Sequence, residues 1–199
     1  MKLLRGFLSV IVLVLVAYLV VARMVHRGFS TRDKPTVIEA SLATSMREMA
    51  IPSRYKVMKN PAAATPEGLH EAMAHWADHC ATCHANNGSG DTMFGKTLYP
   101  RPPDMRQRNT QQMSDGELYY IIENGVRFTG MPAWGSGGTH DHDTWHLVLF
   151  IRHLPRLTQE DMQDMRNSNP RSPADMKEEE LENEFLNNAP EKHSPSKPH

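Results

Sequence analysis

The longest apolar stretch of the chain lies at its N-terminus. It runs from Phe7 to Ala22, and within it only Ser9 and Tyr18 have a polar group. As a helix, Leu3 to Val25 would span ~34 Å, enough to cross the ~30 Å hydrocarbon core of a bilayer. We expect residues 1–25 to be an uncleaved membrane anchor. The alternative is a secretory signal cut after Ala22.

The next segment, residues 26–64, is interpreted as a stalk. Pro35, Pro52 and Pro61 interrupt it, and its apolar residues follow helical spacing over a short stretch only. That stretch predicts one short amphipathic helix with the stripe Ile38, Leu42, Met46 and Met49.

Residues 65–157 are predicted to form a helical domain without strands. Thr65 is a suitable N-cap for a first helix. Its apolar positions recur at spacings of four, three and four, at Leu69, Met73, Trp76 and Cys80. A second helix should begin with the capping box of Ser114 and Glu117 and end at Gly125.

A third helix is predicted from about Asp143 to Leu154, where Pro155 stops it. Beyond it, residues 158–199 are rich in acidic residues and proline and have one aromatic residue, Phe185. We expect a polar, largely disordered tail. Short helices are conceivable after Thr158 and from Pro173 to Leu186.

Both cysteines of the chain lie in Cys80-Ala81-Thr82-Cys83-His84. Cys-x-x-Cys-His is the spacing at which a protein attaches haem covalently. One helical turn separates the thiols, so both reach one edge of a porphyrin while the next residue supplies an imidazole to the iron. The motif therefore predicts covalently bound haem c, with Cys80 and Cys83 as attachment residues and His84 as an iron ligand.

Other chemistries of the same motif fit less well. A thioredoxin-like dithiol needs an alternating strand and helix pattern, which the sequence lacks. A disulfide is sterically poor at this separation and leaves His84 without a role. A zinc site would need further ligands from a histidine set consisting of His79, His140, His142 and His146.

A haem also accounts for the sparse apolar content of the domain. Three short helices and long loops bury little apolar surface for about ninety residues. A large flat cofactor at the centre replaces the missing side chains.

The second iron ligand is predicted to be Met131, in Gly130-Met131-Pro132. The glycine allows close approach to the porphyrin, and the proline stiffens the backbone that presents the sulfur. The domain has three rival methionines outside such a context, namely Met93, Met105 and Met113. A water molecule or a histidine is the alternative sixth ligand.

These features together resemble a class I cytochrome c, over about ninety residues. The resemblance implies an all-α fold with about three to five helices around one covalent haem, and a first and a last helix that cross. It also implies that a proline carbonyl accepts the Nδ1 hydrogen of His84, from Pro100, Pro102 or Pro103. Many relatives have glycine where this chain has Ala85.

With two protein ligands, the iron has no open position for a substrate, so the sequence predicts an electron carrier and not an enzyme. The expected protein is a membrane-anchored monohaem cytochrome with its haem domain on the periplasmic side. It would serve a respiratory chain alone or as the haem subunit of a membrane oxidoreductase complex. The alternative is a peroxidase-like haem enzyme or ligand sensor with a labile sixth ligand.

Charge adds little to this picture. Residues 35–154 contain ten Lys and Arg against twelve Asp and Glu, so we expect weak, transient docking of redox proteins with modest salt dependence. Nucleic acid is not an expected partner. The cations nearest the motifs, which are candidates for pairing with haem propionates, are Arg101, Arg106, Arg108 and Arg127.

Overall fold

The computed structural model describes residues 2–27, 30–171, 176–177 and 180–181, and this part of the chain is helical without strands. The helices are α1 Lys2–Arg27, α2 Val37–Ala50, α3 Ser53–Lys56, α4 Pro66–His75, α5 Ala81–His84, α6 Arg108–Gln111, α7 Asp115–Asn124, α8 His142–His153 and α9 Gln159–Ser168. A π-helical turn, Trp76–Cys80, joins α4 to α5, and 3-10 turns occupy Gly95–Thr97 and Leu154–Arg156. The all-α prediction is confirmed.

Helix α1 is long and apolar enough to cross a membrane. Its segment Leu4–His26 has a mean hydropathy of 2.7 over its most apolar window, and none of that window is buried within the structure. Its 26 residues span ~39 Å. Length and composition therefore agree with an N-terminal membrane-spanning helix.

The core of the domain forms where α4 and the following π-helical turn cross α8. At one end of this contact Gly68 faces His146, and a Cβ atom at Gly68 would lie 3.2 Å from His146 Cε1. At the other end the rings of Trp76 and Phe150 are 5.1 Å apart. The expected crossing of the first and last helices of the domain is thus observed.

Helix α7 packs against α8 and begins and ends as its sequence predicts. Ser114 and Glu117 form both hydrogen bonds of the capping box, and Gly125 follows the helix with φ +65°. The rings of Tyr119 and Trp145 lie 4.2 Å apart between the two helices. Arg152 of α8 donates from Nε and Nη2 to Asp115 Oδ1, at 2.9 and 2.8 Å.

The end of the expected stalk belongs to the packed domain. The predicted amphipathic helix forms as α2, and its apolar stripe is exposed to solvent. Beyond it, however, Ile51 and Tyr55 are buried. The Tyr55 ring contacts Tyr120 at 4.9 Å, and α3 packs on α7. Packed residues are therefore present before residue 65, from Ile51 onward.

The beginning of the expected tail is packed as well. Thr158 caps α9, and Met165 is completely buried against the α4 side of the domain. Met162 of the same helix is half-buried and the other residues of α9 are polar, so packed residues continue beyond residue 157. The helix expected between Pro173 and Leu186 lies mostly outside the described residues.

Candidate haem-binding site

The five motif residues lie where the π-helical turn passes into α5. Cys80 is the last residue of the π-helical turn, and Cys83 and His84 are the last two of α5. Both thiols are half-buried and form no disulfide. The helical path predicted to run from Thr65 to Cys80 is continuous, but its last turn is wider than an α-helical turn. Such π-helical insertions occur frequently at functional sites.

The imidazole of His84 is 9% exposed and lies beside Trp76, with the ring centroids 5.7 Å apart. Burial lowers the pKa of His84 to about 4. The side chain is therefore neutral at pH 7, which is the form that binds a metal.

The thiol of Cys80 is also kept neutral. Burial, together with the nearby Cys83, raises the pKa of Cys80 to about 12. In a redox dithiol, by contrast, the pKa of the attacking cysteine is lowered. The environment of the two cysteines therefore does not favour thioredoxin-like chemistry.

Tight backbone packing surrounds the motif. Gly90 N–H donates to the carbonyl oxygen of His84 at 2.8 Å. A Cβ atom at Gly95 would lie 2.6 Å from the Cys83 carbonyl oxygen, so only glycine fits there. Ala85 has φ +62° and ψ 157°, a conformation that glycine adopts far more readily than alanine.

The proline-rich segment after the motif does not make the expected hydrogen bond. His84 Nδ1 is buried and has no hydrogen-bond partner. The Pro102 carbonyl lies instead against Gly90, whose Cβ atom, if present, would be 2.6 Å from the Pro102 oxygen. The expectation that Pro100, Pro102 or Pro103 accepts the Nδ1 hydrogen is therefore not met in this structure.

Met131 lies half-buried on the loop between α7 and α8. The loop closes on itself, because Val126 N–H donates to the Met131 carbonyl oxygen at 3.1 Å. Met131 N–H in turn donates to Thr129 Oγ1, also at 3.1 Å. Gly125 allows this closure, since a Cβ atom there would lie 2.7 Å from the Met131 carbonyl oxygen.

The structure brings this loop to the residue that precedes the Cys80–His84 motif. The rings of His79 and Trp134 meet edge to face, with centroids 5.6 Å apart. His79 precedes Cys80, and Trp134 lies three residues after Met131. On the other side, a Cβ atom at Gly130 would lie 2.7 Å from Leu98 Cδ2. The loop therefore contacts the residue that precedes the motif and lies close to Leu98, just before Pro100.

The rival methionines occupy different environments. Met105 and Met113 pack against the hydrophobic core, and Met93 is 79% exposed. None of the three lies on the loop that contacts His79.

The histidines considered as zinc ligands form no metal site with the motif in the described part of the chain. His140, His142 and His146 line a separate cleft of about 560 Å³ with Glu67 and Glu71. Within the described ranges, no three His, Cys, Asp or Glu side chains are arranged to hold a metal ion. The structure gives no support to the zinc alternative.

Of the arginines considered as partners for haem propionates, one is already paired. Arg106 donates from Nε and Nη2 to the two oxygens of Asp104, both at 2.8 Å. Arg101, Arg108 and Arg127 have exposed side chains.

The residues around the motif fit a large apolar cofactor. His84 supplies a neutral buried imidazole, and two thiols lie within one helical turn of each other. Large apolar side chains are also exposed on the flanking segments, namely Met93, Phe94, Phe128 and Trp134. Covering such side chains with a porphyrin removes apolar surface from water and is favourable.

Residues 67–151 match the family model described as cytochrome C oxidase, cbb3-type, subunit III. The match supports a monohaem c-type cytochrome domain over these residues. The match covers less than half of the chain, and it includes the Cys80–His84 motif and the Met131 loop. A c-type cytochrome binds haem c covalently through the cysteines of its Cys-x-x-Cys-His motif. The cofactor expected from the motif therefore agrees with the match. No curated protein matches the chain.

Sequence reasoning missed one residue of this cytochrome domain, Glu123. It is 1% exposed and accepts hydrogen bonds from the Met131 loop and from α8. A signal was present, because an acidic residue in the last turn of a helix opposes the helix dipole and needs a compensating partner.

Proposed function

We propose that this protein is a membrane-anchored cytochrome that carries single electrons between redox proteins. Its one haem would be attached at Cys80 and Cys83 and ligated by His84 and Met131. The observation that carries the proposal is the contact between Trp134 of the Met131 loop and His79, the residue directly before the Cys80–His84 motif. An iron with two protein ligands has no open position for a substrate, and this would favour electron transfer over catalysis.

Haem bound in this way supplies a reversible one-electron couple, and a Met and His ligand pair raises its reduction potential. The chain's own residues hold the cofactor and exclude water. Cys80 and Cys83 tether it, while Trp76 and Phe150 pack behind His84. A site held rigidly in this manner needs little rearrangement when the iron changes its oxidation state.

The position in the cell follows from the cofactor and from α1. Covalent haem attachment takes place outside the cytoplasmic membrane in the proteins that the sequence resembles. We therefore place the domain on the periplasmic side, with α1 as a single membrane-spanning helix. Arg23, Arg27, Arg32 and Lys34 follow α1, against Lys2 and Arg5 before it, and this balance opposes the positive-inside rule.

The matched family model gives a reason to consider a second arrangement. Its description names a subunit of a cbb3-type cytochrome c oxidase. The chain would then be the haem subunit of a membrane oxidoreductase complex in a respiratory chain. Purification from detergent-solubilised membranes decides between the two, because a complex subunit copurifies with integral membrane partners in fixed proportion and a free carrier does not.

The carrier proposal is tested by redox titration of the purified full-length protein in detergent. We expect a reversible one-electron curve, and we expect the ferric form to show no cyanide complex and no turnover with peroxide. A ferric form that binds cyanide at once and oxidises substrates with peroxide would support the alternative of a haem enzyme or ligand sensor with a labile sixth ligand.

A further inference from the structure

Glu123 is the only carboxylate among the described residues that is fully buried, with 1% of its surface exposed. It lies in the last turn of α7, next to Asn124 at the end of the helix. A negative charge is unfavourable both in an apolar interior and at the C-terminal end of a helix. Such a residue needs specific hydrogen-bond donors.

The donors come from two other parts of the domain. Gly137 N–H donates to Glu123 Oε2 at 3.1 Å, and Thr144 Oγ1 donates to Glu123 Oε1 at 3.2 Å. Burial, along with contact with Glu123, raises the pKa of Tyr119 to about 12, so this neighbouring hydroxyl keeps its proton. In the described part of the chain, no Lys, Arg or His forms an ion pair with Glu123.

The main chain of the same loop is bound to the end of α7. Trp134 N–H donates to the Ile122 carbonyl oxygen at 3.1 Å, and Gly135 N–H donates to the Glu123 carbonyl oxygen at 3.2 Å. These carbonyls belong to the last turn of α7, where no partner is available within the helix. A Cβ atom at Gly135 would lie within 1.9 Å of Glu123 Oε2, so the loop passes the carboxylate at a distance that only glycine permits.

Both arms of the loop are thereby fixed on either side of Met131. The arm before it is closed by the bond from Val126 to Met131 and by the close fit at Gly125. The arm after it, Trp134 to Gly137, is held by the main chain and the side chain of Glu123.

We propose that Glu123 is a positioning residue that holds the Met131 loop between α7 and α8 and thereby keeps the Met131 sulfur on the haem iron. This rests on the proposed function, in which Met131 is the sixth ligand. Weakening the hydrogen bonds between Glu123 and the loop should let Met131 leave the iron more readily, although Glu123 does not touch the iron.

The test uses the haem-loaded full chain in detergent, with imidazole as the competing ligand and hydrogen exchange of the loop amides as a second measurement. The variants are Glu123→Ala and Glu123→Gln. The control is Glu117→Ala, which removes a carboxylate from the same helix but affects only its N-terminal capping box. A second variant, Thr144→Val, removes one donor to Glu123 and keeps the side-chain shape.

We expect the ferric Glu123→Ala protein to bind imidazole about ten-fold more tightly than wild type, since losing the hydrogen bonds of a buried polar group costs about 1–3 kcal/mol. Glu123→Gln and Thr144→Val should shift in the same direction by less. The amides of Trp134, Gly135 and Gly137 should exchange faster in these variants. The control Glu117→Ala should leave both the imidazole affinity and loop exchange at wild-type values.

An equal shift in Glu117→Ala would overturn the proposal, because the effect would then be general destabilisation of α7. Unchanged loop exchange in Glu123→Gln and Thr144→Val would overturn it too, and these two variants decide the question if Glu123→Ala does not fold. If wild type itself shows no methionine ligation, the proposed function fails. Loop exchange then decides the role of Glu123 separately, with faster exchange in Glu123→Gln and Thr144→Val but not in Glu117→Ala as the supporting result.

Discussion

The indole of Trp76 donates a hydrogen bond from Nε1 to the carbonyl oxygen of Ala85, across 3.0 Å. Trp76 is 2% exposed and begins the π-helical turn that leads into the motif, whereas Ala85 directly follows His84. The bond therefore connects the segment before the motif to the residue after it. It fixes the turn that presents the His84 imidazole.

Ala85→Gly should stabilise the protein. The backbone strain of alanine at φ +62° and ψ 157° costs about 1–3 kcal/mol, and glycine would relieve it. About 0.4–1 kcal/mol of this gain is lost again, because glycine has more conformational freedom in the unfolded chain. We expect the free energy of unfolding of the haem-loaded protein to rise by about 0.5–2 kcal/mol, as measured by guanidinium denaturation.

The control for this change is Ala81→Gly, at the start of α5, where the backbone is helical. It should lower the free energy of unfolding by about 0.5–1 kcal/mol. A similar loss for Ala85→Gly would show that the conformation of Ala85 is not strained.

Gly125→Ala should destabilise the Met131 loop. The substitution strains a backbone at φ +65°, and its Cβ atom would lie 2.6 Å from the carbonyl carbon of Pro132. We expect a loss of about 3 kcal/mol or more, together with weaker methionine ligation in the ferric spectrum.

Gly137→Ala is the matched control. Its φ is +89°, but no atom lies within 4 Å of the new Cβ, so it should cost only the backbone strain of about 1–3 kcal/mol. Equal losses for the two variants would argue against a close fit between Gly125 and the Met131–Pro132 backbone.

Met165→Ala should reveal α9 as part of the domain. Met165 is completely buried, so its truncation should cost about 2–5 kcal/mol in thermal or denaturant unfolding. Met49→Ala, on the exposed stripe of α2, should change stability by less than about 0.5 kcal/mol. A neutral Met165→Ala would mean that α9 does not pack on the domain in solution.

The Asp104 carboxylate gives the protein a pH dependence in acid. Hydrogen bonds from Arg106 lower the pKa of Asp104 well below its usual range, and this outweighs the opposing effect of burial. Because the folded pKa lies below the unfolded value of about 3.9, the contribution of Asp104 is present above that pH and is lost as the pH falls through the folded pKa.

Asp104→Asn therefore should be less stable than wild type at pH 7 by up to about 1 kcal/mol, the range of a partly exposed ion pair. The difference should shrink as the pH is lowered from about 4. A difference that stays constant down to pH 2 would contradict this assignment.

The elements that the sequence predicts well have their signals within a few neighbouring residues. The capping box of Ser114 and Glu117, the end of α7 at Gly125 and the stop of α8 before Pro155 are local features of this kind. The N-terminal apolar helix is equally local, because length and hydropathy alone predict it. Each of these agrees with the structure.

The features that the sequence does not predict depend on distant contacts. Met165 packs a mostly polar helix on the domain, and Tyr55 is buried by aromatic residues of α7. Glu123 is compensated by a backbone amide and a hydroxyl at Gly137 and Thr144. Composition and periodicity describe the residues of a segment, and they do not show which remote surface that segment will meet.

The ferric absorption spectrum of the purified full-length protein tests the central claim most directly. Methionine ligation gives a low-spin spectrum with a weak charge-transfer band in the red. We predict this band in wild type and in Met105→Ala, a methionine that packs against the core, and its loss in Met131→Ala. A high-spin wild-type spectrum, or a band that survives Met131→Ala, would contradict the claim that Met131 and His84 together hold the haem of an electron carrier.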